Sequence, residues 1–430
     1  MMSLFFQAGR FGTVVRLAIR SAFNRRVNFV LTLLSIMLST CLLLSVQRGQ
    51  DAIHDSFTRA VSGTDLIVGA RTSALQLMFY TVFRLGDATH EISWKSYRQI
   101  SEHPLVAWSI PLALGDSHRG YPVLGTTDGY FEHFRFGHRQ PLSFADGKAF
   151  DDLYDVVLGA RVASQLGYRP GDRITLTHGT SSTPGLEHAD RPFRVSGILA
   201  ATGTPVDRTL HISLEAMQAI HLNWQAGAPI PGLDIPADRV RAFDLRPERI
   251  TGALVGLKSR AGVFNLQRFI NTEIEEPLLA VLPAVALDQL WRLLDIVHKT
   301  LQALSILVLV LALCALVTAL MASLEQRRRE LAILRTIGAR PHDLLLLLVL
   351  EGLLLTTGGA LLGWLLLVIG SAVAAPLLQT HWGIVWPVGG LSGAEARLMA
   401  LVALVGPSTA LLPAWRASRR ALATGLTMRI

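Results

Sequence analysis

The chain has 430 residues, half of them hydrophobic, and 40 Lys and Arg against 32 Asp and Glu, a formal charge of +8; its mean hydropathy is +0.40. The apolar residues are gathered into a few long runs instead of being spread at core-like spacing, which excludes an ordinary water-soluble globular chain. The two cysteines, Cys41 and Cys314, both lie inside such runs and leave the polar part of the chain without a disulfide framework, while a pI near 10.0 fits arginines facing anionic lipid better than nucleic-acid binding.

Residues 1–26 place Phe5, Phe6, Val14, Val15, Leu17, Ala18 and Phe23 among arginines, the pattern of an amphipathic helix lying in the cytoplasmic interface. The run that follows predicts a first span over 27–47. It is too long for the apolar region of a signal peptide and no small-residue cleavage site follows it, so cleavage is not expected.

Residues 48–297 carry mixed polar sequence, enough for one large or two ordinary domains. Short buried strands are expected at 65–69 and 155–158 and another at 193–199, with a short helix over 214–220. Pro170, Gly171 and Asp172 form a turn that delivers the chain into an alternating strand, where Ile174 and Leu176 share one face. The stretch 227–238, broken by Pro229, Pro231, Gly232 and Pro236, reads as a loop. From 261 to 298 the pattern is helical, interrupted at Pro277 and Pro283, and predicts a stalk that leads into the membrane.

A second span is predicted over 298–324, a cytoplasmic loop with a short helix over 325–343, a third span over 344–375, a short loop over 376–396, a fourth span over 397–413 and a tail over 414–430. A hydrocarbon core of roughly 30 Å takes about 20 apolar helical residues, and the fourth run reaches that length only with its flanks. Orientation follows from the arginines. Arg10, Arg16, Arg20, Arg25 and Arg26 precede the first span, Arg327, Arg328, Arg329, Arg335 and Arg340 separate the second from the third, and Arg416, Arg419, Arg420 and Arg429 follow the fourth. The loop 376–396 has neither Lys nor Arg. Both termini and the arginine-rich loop are therefore expected in the cytoplasm, and 48–297 beyond the membrane.

In the loop 325–343, Leu331, Ile333, Leu334 and Ile337 make an apolar stripe, the arginines make a charged face and Gly338 supplies a break. Such a helix can lie on the membrane or dock in a partner's groove. Glu351 is an acid inside a span, where a carboxylate is costly, and a structural pairing with Arg340 or the interface is the favoured reading. Ten of the thirteen histidines fall between 48 and 297. None shows paired helical spacing, so they read as surface residues and no metal site is assigned. No hydrolase motif occurs, and no G-x-x-x-x-G-K-[ST] string, which would wrap phosphates in backbone N–H groups; neither catalytic residues nor a cofactor site is expected in this chain.

The run Glu330, Leu331, Ala332, Ile333, Leu334, Arg335, Thr336, Ile337, Gly338, Ala339 resembles the signature after the second span of the FtsX/MacB/LolC/LolE superfamily of ABC-transporter permeases (type VII). The basic entry into the first span over 18–26, the third span with Glu351, Gly352, Gly358, Gly359 and Gly363, and Pro413 and Ala414 before basic residues agree with it. Stretches of the exported segment resemble the porter-like and sabre-like parts of MacB and LolC/LolE, whereas a cell-division FtsX would have a smaller domain. The resemblance implies four transmembrane helices, a large mixed α/β periplasmic domain on a helical stalk, and residence in a bacterial inner membrane. It further implies a separate ABC ATPase that binds ATP and Mg, a second permease protomer, identical or related, and contact with lipid and a periplasmic adaptor or substrate-binding protein. ATPase coupling would fall to Arg328, Arg329, Glu330, Leu331, Leu334, Arg335, Ile337 and Gly338. The implied activity is export or extraction of a lipoprotein, lipid or small molecule; an FtsX-like regulator of a cell-wall hydrolase and a permease linked to metal supply are the alternatives.

Overall fold

A computed structural model describes residues 26–86, 90–179, 188, 191–225, 228–229, 235–236, 239–272, 275–326, 341–382 and 386–423. The chain divides into a helical unit, 1–52 with 295–382 and 386–430, and an α/β unit, 53–294 with 383–385.

The α/β unit is built on an eleven-stranded mixed sheet. Its strands are β1 (Leu66–Ala70), β2 (Val106–His118), β3 (Tyr121–Thr126), β4 (Phe144–Gly147), β5 (Asp155–Leu158), β6 (Arg173–Ile174), β7 (Thr177–His178), β8 (Phe193–Leu199), β9 (Leu210–Ser213), β10 (Gly252–Leu257) and β11 (Leu278–Val281). They run in the order β11-β1-β10-β2-β3-β9-β5-β8-β4, with β7 paired to β2 and β6 to β8. The β3/β9 and β5/β8 pairs are parallel and the others antiparallel.

Both faces of this sheet are covered, so successive residues feed two different cores. Leu66, Val68, Val156, Leu158, Ala253 and Val255 enter one core; Ile67, Val157 and Leu254 enter the other. Helices α2 (Trp94–Ser101), α3 (Ala160–Leu166), α4 (Leu214–His221) and α5 (Val263–Asn271) cover the first face through Ile100, Val162, Ile220 and Leu266. Tyr80, Phe83, Tyr130, Phe134 and Leu287 cover the second. Serine caps start two of these helices: Ser93 accepts from the Ser96 N–H before α2, and Ser213 from the Ala216 N–H, at 3.0 Å, before α4.

The strands expected at 65–69, 155–158 and 193–199 are β1, β5 and β8, and the helix over 214–220 is α4. Ile174 and Leu176 are both buried. The helical pattern expected across 261–298 is interrupted by more than two prolines. Residues 278–281 leave the helix to pair with β1, Ile67 opposite Val281 and Gly69 opposite Leu279, because their apolar side chains complete the sheet's two cores. Of the loop expected over 227–238, the described part includes a short hairpin of Trp224–Gln225 with Ala228–Pro229.

The helical unit draws on α1 (Arg26–Ala60), α6 (Pro283–Gln326), α7 (Pro341–Trp382) and α8 (Gly393–Ala423). Among the described residues these four are long and apolar enough to cross a membrane. Ile36, Leu43, Leu313, Leu316, Leu355, Val402 and Ala410 form their shared core, while Leu31, Leu38, Leu311, Leu361, Val373 and Leu404 point outward. An apolar surface around an apolar core suits lipid as solvent. Polar side chains inside the helices turn back on their own backbone: Thr32 donates to the Asn28 carbonyl, Ser305 to Leu301 and Thr357 to Leu353. Helix α7 continues to Trp382 and α8 starts at Gly393, so the segment expected as a loop over 376–396 is helical at both ends.

Candidate functional site

In the helical unit, α7 packs on α1 through glycines. A Cβ at Gly363 would stand 2.6 Å from the Met37 carbonyl oxygen, and one at Gly359 would stand 2.7 Å from Ile36 Cγ2. The same closeness joins α7 to α8, where a Cβ at Gly352 would meet Ala410 Cβ at 2.8 Å. Small residues let backbones approach where lipid provides no hydrophobic drive between helices. Glu351 lies beside these contacts in α7 with its side chain buried; Arg340, its expected partner, lies outside the described residues. So do all eight residues expected to couple the ATPase, Arg328, Arg329, Glu330, Leu331, Leu334, Arg335, Ile337 and Gly338.

A second acid in this unit was not singled out from the sequence. Glu395 sits in the first turn of α8 and Arg48 in α1, and their side chains are only 2 % and 5 % exposed. The guanidinium grips the carboxylate with two bonds, Nε to Oε1 at 2.6 Å and Nη2 to Oε2 at 2.8 Å. Nη2 also donates to the Gly390 carbonyl at 3.0 Å. Glu395 and Ser392 form a reciprocal capping box: the Ser392 N–H donates to Oε2 and the Glu395 N–H to the Ser392 hydroxyl. The S-x-x-E spacing ahead of an apolar run is the sequence signal that could have marked Glu395; nothing local marks Arg48.

In the α/β unit, four side chains from distant parts of the sequence converge. Asp116 and His178 are cross-strand partners on β2 and β7, His221 ends α4, and His188 follows β7 and is tied back by its N–H to the Leu176 carbonyl at 2.8 Å. Asp116 Oδ1 lies 3.1 Å from His178 Nδ1, 3.4 Å from His221 Nε2 and 3.9 Å from His188 Nε2. All three of these histidines were expected at the surface as scattered residues. Sheet register and the end of α4 bring them together instead, and His188, like His118 and His211, is buried. Burial alone would raise the Asp116 carboxyl, yet the imidazoles of His178, His188 and His221 beside it hold it far below the usual carboxylate range. Burial works against a proton on His221, but Asp116 beside it and the Met217 carbonyl leave it raised.

Two family models match the sequence: "FtsX-like permease C-terminal" over residues 303–423 and "MacB-like periplasmic core domain" over 29–235. No curated protein matches the chain. Among solved structures, the periplasmic region of MacB from Actinobacillus actinomycetemcomitans aligns at 11% identity and a TM-score of 0.32, over 54% of this chain and 94% of that one. The extracellular domain of the noncanonic ABC-type transporter YknZ from Gram-positive bacteria aligns at 11% identity and a TM-score of 0.29, over 50% and 98%.

Proposed function

The chain belongs to the family of FtsX-like and MacB-like ABC-transporter permeases, multi-pass membrane proteins with a periplasmic domain, and from that premise we propose that it is the transmembrane subunit of a MacB/LolC/LolE-like transporter. In this reading it sits in a bacterial inner membrane and pairs with a second permease protomer. A separate ATPase binds ATP and Mg, docks on the arginine-rich loop 325–343, and drives the spans as levers, so that work is done on a substrate held by the periplasmic domain. The substrate class is a lipoprotein, lipid or small molecule.

The observation that supports this most is the succession, in one chain, of a MacB-like core over 29–235 and an FtsX-like part over 303–423 that contains the whole loop 325–343. These 430 residues contain no phosphate-cradling glycine loop, so in this reading the energy enters from an ATPase outside them. The purified chain is expected to show no ATP hydrolysis of its own and to retain a P-loop ATPase when extracted in mild detergent. Robust turnover that is abolished by a substitution within this chain would overturn the reading. Co-purification of a cell-wall hydrolase in place of cargo would favour an FtsX-like regulator.

A further inference from the structure

We infer that the α/β unit carries a zinc site whose ligands are Asp116 Oδ1, His178 Nδ1, His188 Nε2 and His221 Nε2. The site lies wholly within that unit, so it stands or falls independently of the ATPase reading.

The argument starts from spacing. A tetrahedral ion with bonds of about 2.0–2.1 Å sets its ligand atoms about 3.3 Å apart. The four atoms here all lie within 4.8 Å of one another, and four of their six separations centre on that value: 3.0 Å from His178 Nδ1 to His221 Nε2 and 3.1, 3.4 and 3.9 Å from Asp116 Oδ1 to His178, His221 and His188. Modest side-chain rotation would bring all four onto one ion.

The ring nitrogens are also presented with the right chemistry. His221 Nδ1 donates to the Met217 carbonyl at 2.8 Å, which leaves the Nε2 lone pair facing the cluster, as a backbone carbonyl commonly does for a metal-binding imidazole. The Asp116 side chain is fully buried, and its position on a paired strand fixes its direction. A self-contained hydrogen-bond network is the competing account, and it leaves atoms over. Asp116 Oδ2 and His188 Nε2 are both buried without a hydrogen-bond partner, a costly condition for polar atoms. A single cation among these lone pairs would satisfy the imidazole and neutralise the carboxylate together.

Access and selectivity follow from the surroundings. The Asp116 and His188 side chains are 0% and 1% exposed, but those of His178 and His221 are 29% and 26% exposed, which leaves an entry from solvent. The Trp224 ring lies 4.5 Å from His188 and 5.1 Å from His178, an apolar wall on the cluster. Three imidazoles and one carboxylate, with no thiolate, suit zinc among the divalent metals and are too rich in nitrogen for calcium or magnesium.

The test uses the full chain in detergent, stripped with a chelator and desalted after addition of zinc. The unaltered chain should retain about one zinc per chain, and cobalt(II) in its place should give the intense absorption of a tetrahedral ion. His178→Gln and His221→Gln, which alter the two solvent-accessible ligands, should each weaken zinc binding by more than about 10-fold. His133→Gln, on a histidine stacked on Trp108 away from the cluster, should leave binding unchanged. The cobalt spectrum needs no variant and so remains decisive if a substitution impairs folding. A pale octahedral cobalt spectrum, or zinc retention that is the same in the unaltered chain and both ligand variants, would overturn the site.

Discussion

Arg48 and Glu395 stand 347 positions apart in sequence and form a two-pronged ion pair, 2.6 Å at its shorter bond, buried inside the helical unit. The pair fastens the first spanning helix to the start of the last. Further hydrogen bonds to the pair come from the Gly390 carbonyl, the Ser371 hydroxyl and the Ser392 N–H. Removing one partner strands a buried charge, whereas removing both does not. Arg48→Met or Glu395→Met should therefore destabilise the detergent-solubilised protein by about 3–5 kcal/mol, and the double substitution should recover much of that loss. Thermal unfolding of the three variants checks this; a double variant as unstable as the sum of the singles would show that the pair does not act as a unit.

The glycines of α7 should divide sharply by what a side chain would meet. Gly363→Ala puts a methyl 2.6 Å from the Met37 carbonyl oxygen, so α1 and α7 must separate. Gly370→Ala, on the same helix, meets nothing within 4 Å and gains helix propensity of about 1 kcal/mol. Melting temperatures of the two variants should move in opposite directions. Equal shifts would mean that α1 does not pack on α7 at this point.

Leu334 is the centre of the apolar stripe in the loop 325–343, and it carries the coupling proposal. Leu334→Asp should leave membrane insertion intact but cost about 2 kcal/mol or more of ATPase binding, roughly thirtyfold in affinity. Arg335→Ala should weaken retention less, because a rim charge acts chiefly on association rate and salt dependence. Pull-down of the ATPase at two salt concentrations reads both effects. Unchanged retention in Leu334→Asp would move the coupling role to the C-terminal tail.

His211 should make the α/β unit acid-sensitive. Burial first, and then the nearby Arg84 guanidinium, lower its imidazole from 6.5 to about 3; the rings of Tyr130 and Phe131 and the Val157 carbonyl surround it. Above pH 6.5 the ring is neutral in folded and unfolded chains alike. As pH falls from 6.5 towards 3, the unfolded chain takes up a proton that the folded chain refuses, so stability drops by up to about 1.4 kcal/mol per pH unit. Below about 3 both forms are protonated and the loss stops. Denaturant titrations of His211→Phe across this window should show a flatter slope than the unaltered chain, whatever its absolute stability.

Local chemistry alone marked the four apolar helices, because a run of about 20 mainly apolar residues, the fourth counted with its flanks, is what a spanning helix needs. Strands β1 and β5 were legible for a similar reason: buried on both faces, they read as short apolar runs between turn residues; β8 was legible from its alternation, with Phe193, Val195 and Leu199 buried and Arg194 exposed between them. The strand at 278–281 was not, since five apolar residues between Pro277 and Pro283 fit a broken helix equally well until β1 stands beside them.

What only the tertiary structure decided is which polar residues meet. Arg48 reads as the polar end of a span and Glu395 as a helix cap, and no local pattern joins them. Asp116, His178, His188 and His221 share no motif spacing, because two are matched by the register of β2 with β7, one by the length of α4 and one by a backbone bond to Leu176. A motif is visible in sequence when one element carries all its groups. These two sites are assembled across elements, so their existence depends on packing and register, which act between segments far apart in the chain.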